Sequence, residues 1–177
     1  MIKYKENIGI FGGSFDPPHR GHLLIAKHSI KRLKLKKLYW LVTNKNPLKE
    51  KTFFSLNDRL KKSRKIAKNE KKIFVKFLEN RIRSNKTIKT LEYFVKNNKK
   101  TNFFLIIGYD NLINFDKGKD WKKILKLCKL VVFSRKGYKK KLKKKEILNS
   151  LQDKQVIFVK NFNVKISSSQ LRNYYYG

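Results

Sequence analysis

Cysteine is nearly absent from the chain: among 177 residues only Cys128 is present, so no disulfide can form within it, and a reducing cytoplasm is the expected setting. Proline is almost as scarce, with three residues, two of them adjacent at 17 and 18. No Pro/Gly/Ser-rich linker divides the chain and no internal repeat is found. No uninterrupted apolar run is longer than Phe103 to Ile107, against the roughly 20 residues a membrane-spanning helix needs. The opening stretch, MIKYKENIGIFGG, carries lysines but neither an apolar segment of useful length nor a small-residue cleavage site, which excludes a secretory signal. Acidic residues are also few, 12 against 46 Lys and Arg, which gives a formal charge of +34. Such an excess invites a nucleic-acid reading. Yet eight of the basic residues are arginine and 38 are lysines spread from Lys3 to Lys165. That distribution describes a solvated lysine surface with adventitious polyanion binding at low salt, and no specific nucleic-acid partner.

What the chain does have is alternation. Short apolar runs at Ile8–Phe11, Leu38–Val42, Ile73–Phe77, Phe103–Ile107, Leu130–Phe133 and Val156–Val159 read as strands. Amphipathic stretches at Gly21–Leu33, Leu56–Ala67, Thr87–Lys96, Trp121–Cys128 and Lys139–Leu148 read as helices between them. Strands apolar along their whole length and separated by helices imply crossover units, hence an α/β, doubly wound parallel sheet covered on both faces. One domain over residues 1–177 fits the length, with roughly two-thirds of the unfolded surface buried. In such sheets ligands collect beyond the C-terminal strand ends.

The first strand runs into GGSFDPPHRGH, residues 12–22, which holds two of the chain's three histidines. Gly12 and Gly13 let the backbone approach a ligand closely. Pro17 keeps Asp16 extended, and the two prolines end strand pairing, so a helix can begin near His19. His19 and His22 then share one face of its first turn, where free N–H groups and the helix dipole collect anions. The loop is neither GxxxxGK[ST] nor GxGxxG. A zinc site from His19, His22 and His28 lacks a nearby Cys or a suitably spaced carboxylate to complete it; His28 is read as structural. Near the other end, the strand QVIFV is followed by KISSSQLRNYYY. Ser167 to Ser169 are helix-cap residues and Arg172 lies four residues after Ser168, so hydroxyls, free amides and a guanidinium can converge at a second helix start.

Together GGSFDPPHRGH and ISSSQLR resemble the nucleotidyltransferase superfamily whose first motif is HxGH and whose last is ISSTxIR. Within it the chain is similar to the nicotinate-nucleotide adenylyltransferases, through WLVTNKNPLK, FLENRIRSNKTIKTL, IIGYDNLINF and VVFSRKGY as well. The resemblance implies a Rossmann-like fold and a transferase of NAD biosynthesis: an anionic phosphate oxygen of nicotinate mononucleotide attacks the α-phosphorus of ATP, and pyrophosphate leaves. Other acceptors of the superfamily, nicotinamide mononucleotide and phosphopantetheine, stand as alternatives, as does a basic nucleic-acid-binding protein on the same fold. The catalytic set it implies is His19, His22, Arg172 and Lys49. ATP would be held by Gly12, Gly13, Ser14, Phe15, Gly108, Asp110, Ser167, Ser168 and Arg135, with Mg²⁺ accompanying it, held by phosphates and water. The acceptor would meet Asn46, Lys86, Thr87, Tyr109 and Trp121. Two departures stand out. Gly118, eight residues after Asp110, occupies the place of an aromatic that stacks on the acceptor ring in the family, so either Trp121 or Tyr109 supplies that surface or the stacking contact is lost here. The sequence also ends at Gly177, soon after the arginine motif, where the resemblance implies a further helix, so the contacts of a homo-oligomer are expected to differ.

Overall fold

The sheet is built as the alternation requires. In a computed structural model that describes residues 6–44, 52–98, 100–133, 155–159 and 168–176, with side chains to 172 in the last segment, six parallel strands lie in the order β3-β2-β1-β4-β5-β6. The strands are β1 (Glu6–Gly13), β2 (Lys37–Val42), β3 (Ile73–Lys76), β4 (Thr101–Gly108), β5 (Lys129–Phe133) and β6 (Val156–Val159). β1 sits between β2 and β4, with Ile10 opposite Tyr39 on one side and Leu105 on the other. The direction of winding reverses between β1 and β4, which opens a crevice at their C-terminal ends.

Side chains along each strand alternate between two buried layers. Ile8, Ile10, Phe103, Leu105, Ile107, Leu130 and Val132 face one layer, closed by α4 (Thr87–Asn97) and α6 (Trp121–Leu127) through Ile88, Leu91, Phe94, Ile124 and Leu125. Phe11, Trp40, Val42, Phe104, Ile106, Val131 and Phe133 face the other, closed by α1 (Arg20–Arg32) and α2 (Leu56–Ala67) through Ala26, Leu60 and Ala67. Gly9 belongs to this second face for a steric reason: a Cβ there would stand 2.6 Å from Leu35 Cδ1.

The four helices expected before residue 130 start and stop within one residue of their observed bounds. Three short elements were not foreseen: α3 (Glu79–Ile82), α5 (Tyr109–Ile113) and a 3₁₀ turn at Phe115–Lys117. Each is too short to show a 3.6-residue period. The last helix, α7 (Ser168–Tyr176), follows the serine run, whereas the helix expected over 139–148 lies outside the described residues. Among the described residues no helix is long and apolar enough to cross a membrane.

Candidate active site at the crevice between the first and fourth strands

The loop leaving β1 is shaped by aromatic packing. Phe15 adopts the left-handed region, φ 46°, a conformation a bulky residue keeps only when its surroundings hold it. Its ring is buried 4.9 Å from both His22 and Trp40 and 5.2 Å from Phe11. The chain then turns so that His19 caps α1. Its Nδ1 accepts from the amide of Gly21 at 3.1 Å, while the amide of His19 donates to Nδ1 of His22 at 3.2 Å. This is a reciprocal capping box made from two imidazoles instead of Ser and Glu. The rings lie 3.8 Å apart and 31° from parallel. Because both Nδ1 atoms accept, each ring in its neutral form carries its proton on Nε2.

The two ends of the chain meet here. Nη1 of Arg172 donates to the carbonyl of Asp16 at 2.6 Å, its Nη2 donates to Oγ of Ser169 at 3.0 Å, and Oγ of Ser168 donates to the carbonyl of Pro17 at 2.9 Å. The guanidinium also lies 5.1 Å from the centre of the Phe53 ring. Ser168 and Ser169 are inside the first turn of α7, and their hydroxyls serve these tertiary bonds. Ser167, Lys49, Asn46 and Arg135 lie outside the described residues.

Two buried charged groups escaped the sequence reading. Asp16, 2% exposed, accepts from the amides of Phe53 and Phe54 at 2.8 and 2.9 Å. Arg59, with no exposed surface, donates through Nε to the carbonyl of Phe54, through Nη1 to those of Ser14 and Thr43, and through Nη2 to that of Asn44, at 2.7 to 3.0 Å. Burial pulls its pKa below the usual arginine value, and the carboxylates of Asp16 and Glu79 pull it back up. Glu79 is pushed above the usual carboxylate range by its own burial, against an amide bond from Asn44 and the charge of Arg59. The signal for Arg59 was in the sequence: it shares the inward stripe of α2 with Leu60, Ser63 and Ala67, a poor place for a charge without partners.

Gly12, Gly13 and Ser14 form one wall of a cavity of about 910 Å³, at the upper end of the usual range for small-molecule sites. A Cβ on Gly12 would meet nothing within 4 Å, so the space above it is open. The floor is apolar, from Ile10, Leu41, Leu105 and Ile107, and Asn85, Lys86, Thr87, Gly118 and Trp121 stand around it. Thr87 opens α4, with Lys86 at its cap. Tyr109 is not on this wall: it is 4% exposed and packs in the core, where burial raises its phenol pKa. Of the two aromatics expected to offer a stacking surface, the cavity reaches Trp121. Gly108 and Asp110 stand at the C-terminal end of β4, with the Asp110 carboxylate folded back over the glycine, 3.3 Å from where its Cβ would be. His19, His22, Ser168 and Arg172 do not line this cavity. They adjoin it through residues 12–18.

His28 packs edge-on against Phe133, 5.8 Å between ring centres, on the helix layer behind the loop. Among the described residues no three His, Cys, Asp or Glu side chains gather into a metal-holding group.

Comparison with known proteins agrees with this architecture. A family model described as cytidylyltransferase-like matches residues 10–174. A protein of Pelagibacter ubique (strain HTCC1062), named as a probable nicotinate-nucleotide adenylyltransferase, is 45% identical over 168 residues, covering 95% of this chain and 93% of that protein. One of the same name from Clostridium novyi (strain NT) is 36% identical over 169 residues, covering 93% and 84%. Among solved structures, Plasmodium falciparum nicotinic acid mononucleotide adenylyltransferase complexed with NaAD has a TM-score of 0.76 at 20% identity, covering 95% of this chain and 83% of that one. Its complex with APC gives 0.74 at 19% identity. At that identity the likeness is one of fold.

Proposed function

This chain belongs to the nicotinate-nucleotide adenylyltransferases of the cytidylyltransferase-like family, and from that premise we infer how its residues transfer an adenylyl group from ATP to nicotinate mononucleotide. A phosphate oxygen of the mononucleotide forms a bond to the α-phosphorus. The bond from that phosphorus to the bridging oxygen breaks, and its electron pair leaves with pyrophosphate. The nucleophile is already an anion at neutral pH, so no general base is needed, and the work is alignment and stabilisation of charge.

The observation that carries this reading is the Arg172–Asp16 bond with its companion from Ser168 to Pro17. These bonds tie the guanidinium to the backbone three residues before His19 and six before His22, which supports a shared triphosphate site. In our assignment His19 and His22 donate from Nε2 to the phosphates of ATP beside the amides of residues 12–15. Ser167, Ser168 and Arg172 take the departing β- and γ-phosphates. Asp110 binds a ribose beside Gly108, and Lys49 and Arg135 add positive charge.

The acceptor occupies the cavity, its ring against Trp121 and its carboxylate toward Lys86 and the start of α4 at Thr87; Asn46 is assigned to it by the motif resemblance alone. Lys117 and Lys119, also on this wall, favour an acid over an amide. A divalent ion, Mg²⁺ in our reading, arrives as the companion of ATP and offsets the charge of the triphosphate. In this reading the ion is held by phosphates and water. A cytoplasmic setting suits Cys128, which is buried with its thiol pKa pushed up to about 12.

The test is pyrophosphate release from ATP and Mg²⁺ with nicotinate mononucleotide, nicotinamide mononucleotide or phosphopantetheine in turn. Release with the nicotinate substrate alone is the expected outcome. Release with none, together with DNA retention at physiological salt, would replace this reading with a nucleic-acid-binding one.

A further inference from the structure

We propose that Arg59 is a positioning residue for adenylyl transfer: its single buried guanidinium locks the wall of the acceptor cavity to the loop whose Asp16 carbonyl receives Arg172, and so sets the distance between the two substrates. The proposal rests on the adenylyl-transfer reading above. Four bonds from one side chain reach three separate segments. Ser14 and Thr43, whose carbonyls it holds, line the cavity. Phe54 is gripped from both sides, its carbonyl by Arg59 and its amide by the Asp16 carboxylate. Asp16 in turn offers its own carbonyl to Arg172. A continuous path of hydrogen bonds therefore runs from the acceptor cavity to the guanidinium assigned to the leaving group.

The chemistry of arginine explains why this residue is used. Four of the bonds need donors on Nε, Nη1 and Nη2 in a fixed planar fork, which a lysine ammonium cannot reproduce from one point. Backbone carbonyls are the acceptors, so the brace does not depend on the side chains of Ser14, Thr43 or Asn44. Burying such a charge is expensive for stability, and apolar replacements of buried ionic groups are often tolerated. Loss of this guanidinium would leave four backbone carbonyls without it, so stability and rate are read separately; for the rate, a displacement of about 1 Å can cost about 100-fold.

The experiment compares the parent with Arg59→Lys, Arg59→Ala and Asp16→Asn, using melting curves and steady-state kinetics in both substrates. For Arg59→Lys we expect kcat per folded molecule to fall about tenfold or more, with both KM values within about threefold, because alignment is lost and ground-state binding is kept. Free guanidinium at millimolar concentration should restore part of the turnover of Arg59→Ala, and choline at the same concentration should not. A folded Arg59→Lys enzyme with kcat within about twofold of the parent overturns the proposal. If Arg59→Lys does not fold, Asp16→Asn decides, and undiminished turnover there overturns it equally. A parent that releases no pyrophosphate removes the adenylyl-transfer reading and this proposal together, whereas an active parent with an indifferent Arg59→Lys removes this proposal alone.

Discussion

The two halves of the crevice are built on different physical terms. On the side of residues 14–22 almost every polar group is tied down: Asp16 through both carboxylate oxygens and its carbonyl, Pro17 through its carbonyl, and His19 and His22 through each other. On the side of α4 and α6 the cavity has an apolar floor, and its polar residues, Asn85, Lys86, Thr87, Lys117 and Lys119, are exposed at the rim. In the proposed assignment the first side holds charges in fixed geometry while bonds change, which rewards preorganised donors, and the second selects and holds a ring and its carboxylate, for which shape and a few exposed cations suffice. Rate should therefore live on the first side and acceptor choice on the second.

Substitutions can break that division. His22→Ala is expected to have the largest effect, a fall in kcat of about 100- to 1000-fold as for the loss of one transition-state donor, while the KM for the acceptor hardly moves. Turnover near that of the parent in a folded variant would remove His22 from the mechanism. Arg172→Lys keeps the charge but loses the planar fork that spans Asp16 and Ser169. About tenfold or more should be lost in kcat, and inhibition by added pyrophosphate should weaken. On the other side, Lys86→Ala should raise the KM for nicotinate mononucleotide by about tenfold, the size of one charge-assisted bond at an exposed site, with kcat retained. If kcat falls instead, the division between the halves is wrong.

The smallest effect concerns stability. Burial, with Arg32 and Lys31 adding to it, lowers the pKa of His28. The unfolded chain then binds a proton at a pH where the folded chain does not, so this contribution is fully present above about 6.5 and is lost as the pH falls toward the lowered folded value. His28→Gln should narrow the gap in melting temperature between pH of about 7.5 and about 5.5 and leave turnover per folded molecule unchanged. An unaltered gap would show that His28 does not titrate differently in the fold.

Much of this could be read in advance because the relevant signals are local. The strands β1, β2, β4 and β5 stood out as apolar runs, and α1, α2, α4 and α6 by their periodic faces. The pairing of the 12–22 and 166–172 segments followed from motif resemblance. The short α3 and α5 carried too few residues for a period to register. Asp16 reads as an extended residue before Pro17, and the inward stripe of α2 marks Arg59 as buried without naming its partners, because those come from Ser14 and from residues 43–44 and 53–54, and no spacing in the chain announces such contacts. Tyr109 lies beside Asp110 in a motif, but the register of β4 and α5 turns its ring into the core.

Local order was thus settled by sequence: which segments pair as strands, which coil, and where glycine, proline and histidine interrupt them, since those choices depend on sterics and on periods of two and 3.6 residues. The tertiary structure alone decided which carbonyls a buried guanidinium would collect, which aromatic would face the cavity, and that the last helix would bring Arg172 to the carbonyl of Asp16. Those are contacts between residues up to 156 positions apart, and they exist only once hydrophobic burial has driven both faces of the sheet to close.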